Sequence, residues 1–193
     1  MKRALVAVLF GCMVFGFTSV ASAANDNSIA GIALHITPQV TKNQCDAVAG
    51  LTAGTIVHEV FPAACDGQTA YTVYALVCNG SDRDPGFDET GVGVAGMEFG
   101  LAYGPELTVN PFNACADLNF PMPGFPASGT GTILTWDSFL NCQDVPSEPF
   151  VPQTVIAVGG YMDVWANNPG QMVVTPRPAS GAAKVADCNA AET

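Results

Sequence analysis

The stretch Ala95-Gly96-Met97-Glu98-Phe99-Gly100-Leu101-Ala102-Tyr103 alternates apolar side chains with small or polar ones. Successive side chains of a β-strand point to opposite faces of the sheet. Every second residue from Ala95 to Tyr103 therefore falls on one face, and Glu98 falls on the other with the small residues. The pattern predicts a half-buried strand over 92–103, packed on one face only.

Similar short runs, rich in Val, Thr, Ile and aromatic residues, recur along the chain between turns that use its 20 glycines and 14 prolines. They predict about nine strands. The predicted strands are 29–37, 55–61, 69–78, 92–103, 107–110, 131–136, 154–165, 172–175 and 183–186. Residues 44–50 form at most one short helical turn. We predict an all-β fold, a two-sheet sandwich or jelly roll, as a single domain over 24–193.

Two stretches between the predicted strands have the composition of loops. Residues 79–86 are saturated with turn formers. Residues 119–126 contain three prolines, at 121, 123 and 126. Proline removes a backbone donor and fixes φ, so this stretch is expected to be extended, and neither helical nor part of a central strand.

The N-terminal segment 1–23 has the parts of a cleavable secretory signal: a basic start, an apolar run over 4–17, and the small residues Ala21-Ser22-Ala23. The run is about 14 residues, shorter than the ~20 needed to cross a bilayer. We expect cleavage before Ala24, with cleavage one residue later, before Asn25, as the alternative, and a periplasmic or extracellular protein without a membrane anchor. Lipidation at Cys12 is the alternative, disfavoured because the apolar run continues past Cys12.

The chain is acidic, with 17 acidic and six basic residues and a net charge of −11. Removal of segment 1–23 takes away Lys2 and Arg3 and leaves a net charge of −13. Such a charge repels phosphate backbones and anionic lipids, so no nucleic-acid or membrane-surface partner is expected. A glycan or an extracellular protein remains as a partner.

Six of the seven cysteines lie beyond the predicted signal. They are Cys45, Cys65, Cys78, Cys115, Cys142 and Cys188. An even number in an exported chain predicts three disulfides, and the wide spacing disfavours a metal cluster. Fifteen connectivities are open. Cys115 and Cys142 look like the most local pair, and Cys188 is expected to tie the C-terminus to the body.

Catalytic motifs are absent from the sequence. His35 and His58 form no zinc motif, and His35 is expected to face solvent. Ser128 lies in a turn and not in a nucleophile elbow. A glycosidase would need two facing carboxylates. The candidates for that pair are Glu59, Glu98, Glu106, Asp137 and Asp163, of which Glu98 and Asp163 lie in mid-strand. The protein is therefore expected not to be an enzyme, with an extracellular carbohydrate-active hydrolase as the alternative.

Two features favour binding. Asp82, Asp84 and Asp88 supply carboxylates close together in a turn, as calcium loops do, although the stretch is not an EF-hand. In the strand 154–165, Tyr161, Asp163 and Trp165 share one face, with the two rings about 13 Å apart. Rings on an open sheet face can stack on sugars. The alternative for these three residues is that a loop or second sheet covers them.

The stretch 92–109, which continues as Gly104-Pro105-Glu106-Leu107-Thr108-Val109, resembles a strand-turn-strand element of cohesin-like secreted sandwiches. Parts of the chain around Cys115 and Cys188 are similar to secreted bacterial proteins of uncharacterised activity. The resemblance implies an exported sandwich and no activity. Because cohesins lack this set of six cysteines, dockerin binding is not implied. A secreted, non-enzymatic binding or surface-structural module, with carbohydrate as a candidate ligand, is the expected function.

Overall fold

The computed structural model describes residues 30–48, 65–78, 93–143 and 155–189. The predicted signal 1–23, the predicted strand 55–61 with His58, and the acidic residues Asp82, Asp84 and Asp88 lie outside these ranges. None of the helices among the described residues is long and apolar enough to cross a membrane.

In the described ranges, ten strands form two antiparallel sheets, which is the arrangement of an all-β sandwich. The strands are β1 (Gly31–Pro38), β2 (Ala70–Cys78), β3 (Gly96–Tyr103), β4 (Leu107–Val109), β5 (Asn113–Ala114), β6 (Leu118–Pro121), β7 (Thr130–Thr135), β8 (Val155–Ala166), β9 (Met172–Thr175) and β10 (Lys184–Ala186). The first sheet has the order β1-β2-β8-β4, with β5 also paired to β8. The second has the order β10-β3-β7-β6, with β9 also paired to β3.

The main core lies between the sheets. Met97, Phe99 and Leu101 of β3 are buried in it, as the alternation of the opening stretch predicts. Phe112 and Phe125, from loops at two sheet edges, pack edge-on against Phe99, with ring centroids 6.4 and 6.0 Å from it, and against each other at 5.2 Å. This aromatic cluster fills the core beside the β3 strand.

Strands β3 and β4 form the predicted strand-turn-strand element, but they belong to different sheets. The turn between them, closed by a hydrogen bond from the Leu107 amide to the Gly104 carbonyl, therefore crosses from one sheet to the other. The segment from Asn167 to Gln171 makes the same crossing between β8 and β9. The two crossings are joined by the Asn167 amide, which donates to the Glu106 carbonyl.

The expectation that His35 faces solvent is wrong, since only 4% of the residue is exposed. His35 does point away from the inter-sheet core, opposite Leu34 and Ile36. That outer face is covered by a second apolar cluster, which includes Val40 and the fully buried Val48. The segment 40–48, with the 3-10 helix Gln44–Asp46, folds over the sheet and contacts β8.

The structure has two disulfides and not the three predicted. They join Cys45 to Cys115 and Cys142 to Cys188. The expected Cys115–Cys142 pair is wrong, and the expected attachment of Cys188 to the body is confirmed.

Cys65 and Cys78 cannot form the third bridge within this fold. Cys65 precedes β2, and Cys78 is the last residue of that strand. Eight residue steps of β2 alone span about 26 Å, whereas the Cα atoms of a disulfide lie within ~7 Å of each other.

Candidate functional site

Tyr161, Asp163 and Trp165 lie on the outer face of β8, where they alternate with Met162 and Val164 of the core. All three are partly buried. The face is therefore neither an open platform nor fully covered.

The Asp163 carboxylate accepts hydrogen bonds from side chains of the protein itself. The Thr72 hydroxyl donates to Oδ1 at 3.0 Å, and Gln39 Nε2 donates to Oδ2 at 3.1 Å. Thr72 is fully buried and its hydroxyl also accepts from the Val40 amide at 2.9 Å. Asp163 thus attaches the segment after β1 to the sheet, which is a structural role that the sequence analysis did not foresee.

The Tyr161 ring packs on the buried Tyr74, with centroids 6.1 Å apart. Burial, together with the neighbouring Tyr161 and Asp163, raises the pKa of the Tyr74 hydroxyl to about 12. The Tyr161 ring is therefore partly packed into the second cluster. Trp165, on the same face, has no aromatic partner among the described residues.

Of the carboxylates suggested for a hydrolase, the two in mid-strand, Glu98 and Asp163, lie on opposite faces of the described sandwich. Glu98 lies on the outer face of the second sheet, where Arg177 lies 3.3 Å away and the Ser180 hydroxyl donates at 2.5 Å. Asp163 lies on the outer face of the first sheet, so the sandwich separates the two. Asp137 accepts from the Phe139 and Leu140 amides, which lower its pKa.

Glu106 lies in the turn between β3 and β4. The Ser128 hydroxyl accepts from the Tyr103 amide at 2.9 Å, as a turn residue does. Glu59 lies outside the described residues.

No group of three or more His, Cys, Asp or Glu that could hold a metal ion occurs in the described part of the chain. The calcium site predicted at Asp82, Asp84 and Asp88 falls outside that part and stays a prediction. Thermal unfolding with and without a chelator tests it, because bound calcium would raise the midpoint.

A cavity of about 570 Å³ opens between the sheets, beside the crossing from β8 to β9. Its apolar lining comes from β1, β2, β4, β8 and β9. The main apolar lining residues are Leu34, Ile36, Val73, Leu107, Val164 and Met172. Tyr71, Cys65 and Gln171 add polar atoms. Sites for small ligands have this size and this mostly apolar lining.

The crossover segment 169–171 separates this cavity from a shallow surface groove. Pro169, Gly170 and Gln171 line both. The groove is also lined by Tyr103, Glu106, Ser128 and Val173. The Glu106 side chain lies against Gly104 and Gly170, at the positions that a methyl group on either glycine would take.

The cavity was not predictable from the sequence, because each lining residue has the pattern of an ordinary core position. The cavity lies among strands that are distant in the chain, and no local signal encodes their spacing. The single hint is the cluster Asn167-Asn168-Pro169-Gly170, which marks the turn where the chain crosses over.

Comparison with known proteins returns no match, whether to family models, to curated proteins or to solved structures. The cohesin-like resemblance of residues 92–109 therefore stays a prediction. The class that the fold defines is an all-β sandwich with two disulfides, which suggest an oxidising, extracellular environment.

Proposed function

We propose that this protein is a non-enzymatic binding module of the extracytoplasmic space that takes a small apolar ligand between its two sheets. The observation that carries the proposal is the 570 Å³ cavity lined by aliphatic side chains. Protein interiors are otherwise close-packed, and an apolar cavity of this size favours an apolar occupant over water.

The expected affinity follows from the surface that such a ligand would bury. About 250 Å² of apolar ligand surface contributes ~6 kcal/mol. This gain alone corresponds to a dissociation constant of about 40 µM, and the cost of immobilising the ligand reduces it, so simple apolar compounds are expected to bind more weakly than that.

The test is a fluorescence titration with the neutral apolar dye N-phenyl-1-naphthylamine. Ile36→Trp places a larger side chain in the cavity and should weaken dye binding at least about tenfold. Leu118→Trp, a similar change at an exposed position of β6, is the control and should bind as the wild type does. Absence of dye binding, or equal affinity in a folded Ile36→Trp variant, would refute the proposal.

Export is the second part of the proposal, and it rests on segment 1–23 and on the two disulfides. N-terminal sequencing of the protein from the periplasm or medium should begin at Ala24. A mature protein that starts at a lipid-modified Cys12 would support the alternative and place the protein on a membrane.

Carbohydrate binding is the second candidate, favoured by the two partly exposed rings Tyr161 and Trp165 on one face of β8. Isothermal titration with soluble oligosaccharides should show binding that Trp165→Ala abolishes. Phe139→Ala removes a ring that is 95% exposed and lies in the loop after β7, so it serves as the control. An equal effect of both variants would argue against a site at Trp165.

A further inference from the structure

The Glu106 carboxylate has an environment suited to a cation. It is partly buried and accepts no hydrogen bond from any described residue, while the salt bridge of the described chain uses Glu98 and Arg177. Taking a carboxylate out of water costs free energy unless a charged or hydrogen-bonding partner replaces the water. An ammonium group supplies both.

Glu106 lies directly across the crossover segment 169–171 from the apolar cavity. Its side chain contacts Gly170, and Gly170 lines the cavity. One backbone segment, roughly 5 Å thick by the spacing of neighbouring strands, separates the apolar surface from the carboxylate. A head group attached to a tail in the cavity reaches Glu106 by passing over this segment.

The charge of the whole chain favours the same sign of ligand. A net charge of −11 attracts cations and raises their concentration near the surface. It repels an anionic head group such as a free carboxylate. The polar rim residues Gln171 and Ser128 are neutral and add no positive charge that would reverse this preference.

We propose that the ligand is a cationic amphiphile, with an alkyl or aryl tail in the cavity and an ammonium group at Glu106. This rests on the proposed function, since the tail occupies the same cavity. It adds a head-group site and a sign of charge, neither of which follows from the cavity alone.

The test compares three compounds with the same ten-carbon tail, all below their micelle concentrations: decylammonium, decanol and decanoate. Each displaces N-phenyl-1-naphthylamine from the wild-type protein in a competition titration. Decylammonium should bind about tenfold more tightly than decanol, the effect expected of one charge-assisted hydrogen bond, and decanoate should bind least tightly.

Glu106→Gln should bring decylammonium to the affinity of decanol while leaving decanol unchanged. Asp46→Asn removes the same charge from the exposed 3-10 helix on the far face of the first sheet, and should preserve the tenfold preference. Glu106→Asp keeps the charge on a shorter side chain and should retain part of it. Circular dichroism verifies that each variant is folded.

The outcomes separate the two proposals. Equal affinity of the wild type for all three compounds, or an unchanged preference in Glu106→Gln, overturns the cationic-ligand inference and leaves the apolar cavity as a binding site. Failure of all three compounds and of the dye to bind overturns both.

Discussion

Tyr74 carries a hydroxyl group that is buried without a hydrogen-bond partner. A buried, unsatisfied polar group costs about 1–3 kcal/mol of desolvation. Tyr74→Phe removes that group and keeps the ring against Tyr161, so the free energy of unfolding should rise by about 1 kcal/mol. Urea unfolding at pH 7 measures the change.

Tyr103→Phe is the matched control for this substitution. The Tyr103 hydroxyl donates to the Pro126 carbonyl at 3.1 Å, so its removal should lower the free energy of unfolding by about 1 kcal/mol. A loss of stability in both variants would show that Tyr74 has a partner in solution.

The Cys78 thiol is buried at the end of β2, and this burial raises its pKa to about 11. A thiol whose pKa is higher in the folded than in the unfolded state stabilises the fold below the unfolded pKa of 9. That stabilisation is lost as the pH rises from about 9 to about 11. In the Cys78→Ala variant, the free energy of unfolding should therefore decrease less with rising pH over this range than it does when Cys78 is present.

The measurement for Cys78 is urea unfolding at half-unit pH steps, carried out in a Tyr74→Phe background. This background matters because burial also raises the pKa of Tyr74, and its ionisation would add a second loss above pH 10. Parallel curves for the two proteins would show that the Cys78 thiol does not cause the alkaline loss.

At the scale of elements, the position of strand β6 in its sheet could be predicted in part from its prolines. Three prolines within 119–126 predicted an extended segment that is not a central strand, and β6 is the edge strand of the second sheet. The hydrogen bond from the Met122 amide to the Gly131 carbonyl shows which alternate residues of this segment hydrogen-bond to β7. The backbone polar groups of Asn119 and Pro121 therefore point away from β7, toward the open edge of the sheet. Pro121 has no N–H to donate at that edge.

Pro121 therefore protects an edge strand whose exposed side chains, Leu118 and Phe120, would favour association. Pro121→Thr restores the missing donor and should make the protein self-associate at concentrations where the wild type does not. Sedimentation velocity at increasing concentration measures this. Pro123→Thr, just beyond the strand, is the control, and equal behaviour of the two variants would contradict the role given to Pro121.

Strand β5 shows where sequence patterns fail. Asn113–Ala114 is two residues long, too short for an alternation to appear. It pairs with Tyr161 and Gly160 of β8 because Cys115 anchors the chain through its disulfide to Cys45. The strand is determined by a contact 70 residues away in sequence, which local patterns do not encode.

At the scale of the whole molecule, the fold class followed from alternation, whereas the sites depended on how the sheets and the covering segment are placed. The face shared by Tyr161 and Trp165 was predictable from the period of a strand. The burial of His35 was not, because it depends on segment 40–48 crossing the outer face. The cavity was also beyond sequence patterns, since strands distant in the chain define it.

The two disulfides close large parts of the molecule, and their removal gives a prediction at this scale. The Cys142–Cys188 bridge joins the loop after β7 to the chain after β10, across a sequence separation of 46. A loop of that length contributes about 4 kcal/mol by restricting the unfolded chain. The double variant Cys142→Ala/Cys188→Ala should lose roughly this amount in urea unfolding.

The native packing around this bridge gives a second measure of its importance. Gly93, at φ +48°, lies against the Cys142 sulfur, where a side chain has no space. Gly93→Ala should therefore destabilise the oxidised protein, by strain in the backbone and by contact with the sulfur. In the Cys142→Ala/Cys188→Ala background the contact with the sulfur atoms is gone, whereas the backbone strain and the close approach to the Gln143 carbonyl remain, so the same substitution should cost less. An equal cost in both backgrounds, compared by a double-mutant cycle, would show that Gly93 and the bridge act independently.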